Sequence, residues 1–226
     1  MLLDLLFSSP AMFVIIILAI VYALTIHEFS HSFAATYLGD NTSKFNGRLT
    51  LNPMAHLDLF GTLMLLFAGF GWGKPVPVNP YNLRFQRWGG AIVSLAGPMS
   101  NFLSVILFAI IFMLLFPNLD FGIVVAQVFS GVGFYESLNM TAAFISMLIF
   151  VNLILGIFNL IPIPPLDGSK VLFAFLPPRY DDFKRKLTVN GPWILLALIF
   201  LDRYVGEFNL LGNIFYFFVN AVDKIV

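Results

Sequence analysis

Residues 27–31 read His-Glu-Phe-Ser-His, an HExxH pattern. On a helix, positions four apart share a face. His27 and His31 could then bind one zinc ion, and Glu28 could act on a water held there. A catalytic zinc needs a third protein ligand and an open position. The chain has one further histidine, His56, and no cysteine. That excludes disulfides, thiolate metal sites and cysteine nucleophiles. Among the acids, Asp167 is the most informative. Pro162, Pro164 and Pro165 precede it and Gly168 follows it, so it sits where a regular helix has just been stopped. His56 and Asp58 are rival third ligands, and the plainer role for Asp167 is an N-cap for 168–176.

The elements that must position these groups are membrane elements. Of 226 residues, 59% are hydrophobic and 11% charged, with 27 phenylalanines and a mean hydropathy of +0.91. Soluble domains carry roughly 25% charged residues. So much apolar surface needs a bilayer as its solvent. Lys plus Arg equal Asp plus Glu at 12 each, so no overall field points to nucleic acid. The first apolar run has Asp4 and no basic residue before it, and reads as a retained helix rather than a leader. The economical reading is one integral-membrane domain over 1–226.

Residues 11–26 are apolar and their helical pattern runs on to about Tyr37. Segment 38–57 is polar and turn-rich, with short strands expected. Segment 59–71 is too short to span and is followed by GFGWGKPVPVNP, which suits a re-entrant element. Segments 92–116 and 141–161 should span. Segments 171–176, 192–201 and 210–222 are shorter apolar stretches, the last two being C-terminal helices within about 190–223. The expected fold is an all-α polytopic membrane protein of about four to six transmembrane helices, with short re-entrant or β-hairpin elements on the cytoplasmic side.

Basic residues orient the chain. Segment 37–90 holds Lys44, Arg48, Lys74, Arg84 and Arg87, and 162–190 holds Lys170, Arg179, Lys184, Arg185 and Lys186. Segment 117–140 has no Lys or Arg. The first two should be cytoplasmic and the third external. HExxH and Asp167 then approach the same, cytoplasmic face of a cell membrane. Ionisable groups inside a span are costly and mark function; mutual satisfaction of three such groups in a bundle is a weaker explanation. A transporter would distribute such groups over several helices, but 92–116 and 141–161 carry none. No GxSG motif supports a serine protease. Trp72, Trp88 and Trp193 read as interfacial anchors, and Lys184-Arg185-Lys186 as a contact with anionic headgroups.

HEFSH at 27–31, NPMAHLDLFGTL at 52–63, GWGKPVPVNP at 71–80, AGPMSN at 96–101 and NLILGIFNLIPIPPLDGSK at 152–170 together resemble the site-2 protease family, polytopic zinc proteases that cut transmembrane helices. The motifs cover about residues 11–176. The resemblance implies that His27, His31 and Asp167 bind one Zn2+ per chain and that Glu28 is the catalytic carboxylate. It implies that Asn152 and Asn159 hold substrate or polarise the scissile carbonyl, although both could equally be interhelical hydrogen-bond partners. His56 matches a family histidine near the site. Leu59, and Ser169-Lys170 after LDG, depart from the common pattern without removing a ligand. Segment 117–140 is too short for a PDZ domain, so a minimal member is expected. The substrate would be a transmembrane protein whose helix unwinds locally, gripped by β-addition at 37–57 and 71–80. An inactive relative is the alternative.

Overall fold

In the computed structural model, which describes residues 2–130 and 139–204, the regular elements are helical. They are α1 (Leu2–Ser8), α2 (Pro10–Tyr37), α3 (Thr42–Phe45), α4 (Leu59–Ala68), α5 (Gly89–Leu115), α6 (Phe121–Ser130), α7 (Met140–Asn159), α8 (Asp167–Phe175) and α9 (Asp181–Tyr204). Short 3-10 turns lie at Pro53–Ala55, Pro80–Asn82 and Pro178–Tyr180. α2, α5 and α7 are long and apolar enough to cross a membrane. The expected apolar stretch at 210–222 lies outside the described residues.

Local chemistry sets several boundaries. Pro10 has no N–H to give to a preceding turn, so it starts α2 afresh after Ser9 and leaves α1 as a separate short helix. Asn139 caps α7, its Oδ1 accepting from the backbone N–H of Thr141 at 2.9 Å. Asp58 caps α4 in the same way through Gly61 N–H at 2.8 Å. The charged stretch 180–187 and the apolar stretch 192–201 form one helix, α9, with Pro192 inside it.

The 38–57 segment differs from expectation. Among the described residues it holds no strand, only α3, a 3-10 turn and one antiparallel bridge between Leu57 and Gly73. Side-chain turns compete with ladder formation there: Asp40 Oδ1 accepts from Thr42 N–H at 3.1 Å and Asn52 Oδ1 from Met54 N–H at 3.1 Å.

α5 packs most extensively on α7, and α2 packs against both. The buried stripe of α2 contains Met12, Ile16, Ala19, Ala23, His27, His31 and Ala35, steps of three and four that keep one face toward its partners. Met12 clusters with Phe112, Phe121 and Ala142, whereas His31 meets Val93, so α2 and α5 run antiparallel. Lipid tails remove the hydrophobic drive between helices, and close backbone approach takes its place. Ala19, Ala23, Gly97, Ser104, Ser146 and Gly156 provide it. α8 docks on α5.

Asp40 joins the loops around this bundle. It is fully buried. Its Oδ2 accepts from Asn79 N–H at 2.7 Å and its Oδ1 from Asn82 Nδ2 at 3.0 Å, besides Thr42. Burial opposes its charge, but these donors outweigh burial and hold its carboxyl below the usual carboxylate range. Asp40→Ala should lower stability by about 3 kcal/mol at neutral pH, a typical loss for donors stripped of a charged acceptor. A depressed folded pKa means that the contribution is present above the unfolded value of about 3.9 and is lost as pH falls through the folded value. Melting curves of the two proteins should therefore stay apart at pH 6–8 and converge only below about pH 4.

Candidate metal centre

His27, His31 and Asp167 offer one ligand atom each within 4.8 Å of one another, and all three residues are buried. The spacing is tighter still. His27 Nε2 lies 3.0 Å from His31 Nε2 and 3.1 Å from Asp167 Oδ2, and His31 Nε2 lies 3.0 Å from the same oxygen. A tetrahedral zinc with bonds of about 2.0–2.1 Å separates its ligands by roughly 3.3 Å, so the triangle has the scale of such a site.

The protonation pattern makes the same point. Asn101 Nδ2 donates to Ala23 O at 3.1 Å and to Asn152 Oδ1 at 2.9 Å. That fixes the amide, so Asn101 Oδ1 is the acceptor for His27 Nδ1–H at 2.7 Å. Asn152 is oriented in turn by donating to Leu148 O at 2.7 Å. His31 Nδ1–H donates to the carbonyl of Val93 at 2.7 Å. With Nδ1 as the donor on both rings, each imidazole in its neutral form turns an Nε2 lone pair toward the other and toward a carboxylate oxygen. Three acceptors converging in a buried space call for a shared cation, and the outward hydrogen bonds are those that orient metal ligands.

Two glycines admit this geometry. A Cβ on Gly97 would stand 2.5 Å from His31 Nε2 and 2.7 Å from His27 Cε1, so α5 approaches the imidazoles only because position 97 has no side chain. A Cβ on Gly168 would stand 2.1 Å from Leu160 O, where the proline-rich turn folds back to deliver Asp167. Asp167 is the first residue of α8, with Leu166 at the cap position and no side-chain cap bond; its carboxylate reaches the histidines instead. Lys170 Nζ stands 3.6 Å from its other oxygen, Oδ1.

Glu28 is buried beside the triangle, with His27, Asp167, Arg48 and Lys170 as the titratable groups around it. The rival ligands lie elsewhere: Asp58 caps α4, and His56, fully buried, donates from Nε2 to Thr50 O at 2.8 Å. Burial keeps the His56 imidazole below its ordinary pKa, the Thr50 bond offsetting this only in part. Asn152 is fully buried behind Asn101. Asn159, half-buried at the end of α7, donates to Leu155 O at 3.0 Å. Sequence reasoning missed the part played by Asn101 and by Arg48. Arg48 is buried and its guanidinium donates to Ala55 O and Lys74 O, tying the 48–57 loop to the segment that follows Gly73.

The histidine pair and the turn-borne aspartate are a group that could hold a metal ion, with a glutamate beside them. The model of peptidase family M50 matches residues 14–200, and the chain belongs to that family, the site-2 proteases. It is similar to the candidate zinc metalloprotease YwhC of Bacillus subtilis, 42% identical over 163 residues, 72% of this chain and 69% of that protein. It is also similar to the candidate zinc metalloproteases Rip2 of Mycobacterium tuberculosis strain H37Rv, 32% identical over 200 residues (86% and 67%), and Rip2 of Mycolicibacterium smegmatis, 30% identical over 200 residues (86% and 68%). No solved structure matches it at a significant level. The protein is thus a zinc-dependent metalloendopeptidase.

Asn101→Ala should weaken zinc binding by roughly 10–100-fold, the usual effect of losing a ligand's outer hydrogen bond, as read by competition with a chromophoric chelator. Gly97→Ala should abolish stoichiometric zinc, whereas Gly90→Ala, whose Cβ meets nothing within 4 Å, should retain it; metal analysis of the purified pair decides.

Proposed function

We propose that this protein cleaves peptide bonds within or near the transmembrane segments of other membrane proteins, with His27, His31 and Asp167 holding zinc and Glu28 serving as the general base. The observation that carries the reading is the depth of the triangle. His27 precedes the end of α2 at Tyr37 by ten residues, about 15 Å at 1.5 Å per residue, inside a helix apolar enough to span. A peptide bond reaching that site must come from a substrate segment at the same depth.

When bound, zinc would polarise the scissile carbonyl and acidify its water. The protein's own groups do the rest. Glu28, which no side chain among the described residues ties down by a hydrogen bond, is available to take the water's proton and pass it to the leaving nitrogen. Asn101 and the Val93 carbonyl hold the imidazoles in the ligating tautomer. The full burial of Asn152 favours the same positioning role for it. Asn159, at the mouth of the α7–α8 turn, is the better placed of the two asparagines to meet a scissile carbonyl. His56 and Arg48 brace the loop between α2 and α4.

Residues 11–176 would supply this core in a single domain. The charge pattern supports a site toward the cytoplasmic side of a cell membrane. A transport role is disfavoured, because α5 and α7 bring no charged side chain and no histidine to the bundle.

Glu28→Gln should keep zinc and lower cleavage by at least about 100-fold, read by mass spectrometry of fragments from single-span helices reconstituted with the protein; undiminished cleavage would sink the assignment. Asp167→Ala should lose zinc, and full zinc content in that variant would remove Asp167 from the ligand set.

A further inference from the structure

On the same side of the bundle as Asp167, a cavity of about 450 Å³ opens between the start of α5, α8 and the start of α9. Its size is that of a small-molecule site. Three cations line it, one from each element: Arg87 just before α5, Lys170 on α8 and Lys184 on α9. No carboxylate lines it, and the remaining wall is largely apolar, including Ala91, Phe173 and Leu176.

The cations are only partly committed. Arg87 Nε donates to Ala174 O at 3.2 Å, and among the described residues its terminal nitrogens have no acceptor. Lys170 Nζ is 3.6 Å from Asp167 Oδ1, beyond hydrogen-bond reach. Lys184 pairs with Asp181, a carboxylate that is largely exposed and screened. Lys170 and Lys184 thus each have one carboxylate at ion-pair distance, and Arg87 has none among the described residues.

The cavity also lies at the end of a helix long and apolar enough to cross a membrane. Trp88, next to Arg87, immediately precedes the span α5 and packs edge-on to Phe175 with ring centroids 5.1 Å apart. Both rings are exposed, the placement of an interfacial aromatic pair.

We propose that this cavity binds the phosphate headgroup of an anionic phospholipid, the phosphate among Arg87, Lys170 and Lys184 and the glycerol against Phe173 and Leu176. A phosphate needs the cations, and a lipid explains why they share a cavity with an apolar wall at the end of a span. The assignment uses only the membrane position of α5, and binding is read without proteolysis, so failure of the cleavage reading leaves it standing.

The test is native mass spectrometry of the full chain in neutral detergent, titrated with dioctanoyl phosphatidylglycerol or dioctanoyl phosphatidylcholine. The anionic lipid should bind saturably and the zwitterionic one at least about 10-fold more weakly. Arg87→Gln with Lys184→Gln should weaken the anionic lipid by roughly 30-fold, at about 5-fold per cation. Arg185→Gln with Lys186→Gln, outside the cavity, should change it less than about 3-fold if the cavity is the site. Melting curves check folding; should the cavity pair not fold, Lys184→Gln alone should lose about 5-fold. Equal binding of the two lipids, or equal losses from both pairs, would overturn the site. Displacement of the lipid by inorganic phosphate or ATP would reassign it to a soluble phosphate compound and overturn the lipid.

Discussion

Two imidazole lone pairs and a carboxylate oxygen face one another at 3.0–3.1 Å in a buried space, and the rest of the molecule is arranged to make them do so. Left alone, each imidazole would choose the tautomer and rotamer that relieve the repulsion. They are prevented by acceptors on a neighbouring helix: Asn101 for His27 and the Val93 carbonyl for His31. The first of these is itself aimed by Asn152 on α7. A single line of hydrogen bonds thus runs from α7 through α5 to His27 Nδ1 on α2. Such interhelical bonds contribute only about 0.6 kcal/mol each to stability in a membrane. Their effect on metal affinity, 10–100-fold, corresponds to about 1.4–2.8 kcal/mol. Orientation, rather than cohesion, is the larger consequence of these asparagines.

Cohesion comes from elsewhere. The apolar cluster joins Met12–Ala19 of α2 with Val105–Phe112 of α5, Phe121–Val125 at the start of α6 and Ala142–Ile157 of α7. The polar site occupies the other half of the same helices. Small residues run through both halves, so the helices keep one close approach along their length while the contents of the interface change from aliphatic side chains to imidazole, amide and carboxylate. Outside the helices, Asp40 and Arg48 close the loops on either side of the bridge at Leu57 and Gly73.

How much of this was legible depends on the range over which each cause acts. HExxH on an apolar helix is a local pattern, and the structure sets His27 and His31 on one face, as a period of 3.6 requires. Asp167 could be singled out because prolines announce the end of a helix and charge bias brings two segments to one side. Asn101 could not: an asparagine in an apolar run looks the same whether it joins helices or aims a ligand, and only the positions of Ala23, Asn152 and His27 around it decide. Arg48 was read as an orienting charge because nothing local says that Ala55 and Lys74 will present it with carbonyls. The strands expected in 38–57 gave way to side-chain turns of Asp40 and Asn52, and Pro192, which divided the sequence, is accommodated within α9. α1 is separate because of Pro10, a signal that was present but subordinate to the apolar run around it.

The stripe on α2 makes the packing face and the face of the candidate metal centre a single surface: Ala19, Ala23, His27, His31 and Ala35 follow one another along it. Turning α2 by one residue position, about 100°, would unpack the bundle and part the two histidines from Asp167 together. The molecule accordingly has no low-cost off state reached by rotating its central helix. The geometry of the candidate centre inherits the stiffness of the architecture, and on the proposed function control is left to whatever stands in the doorway: the loops, the short helices and the surrounding lipid.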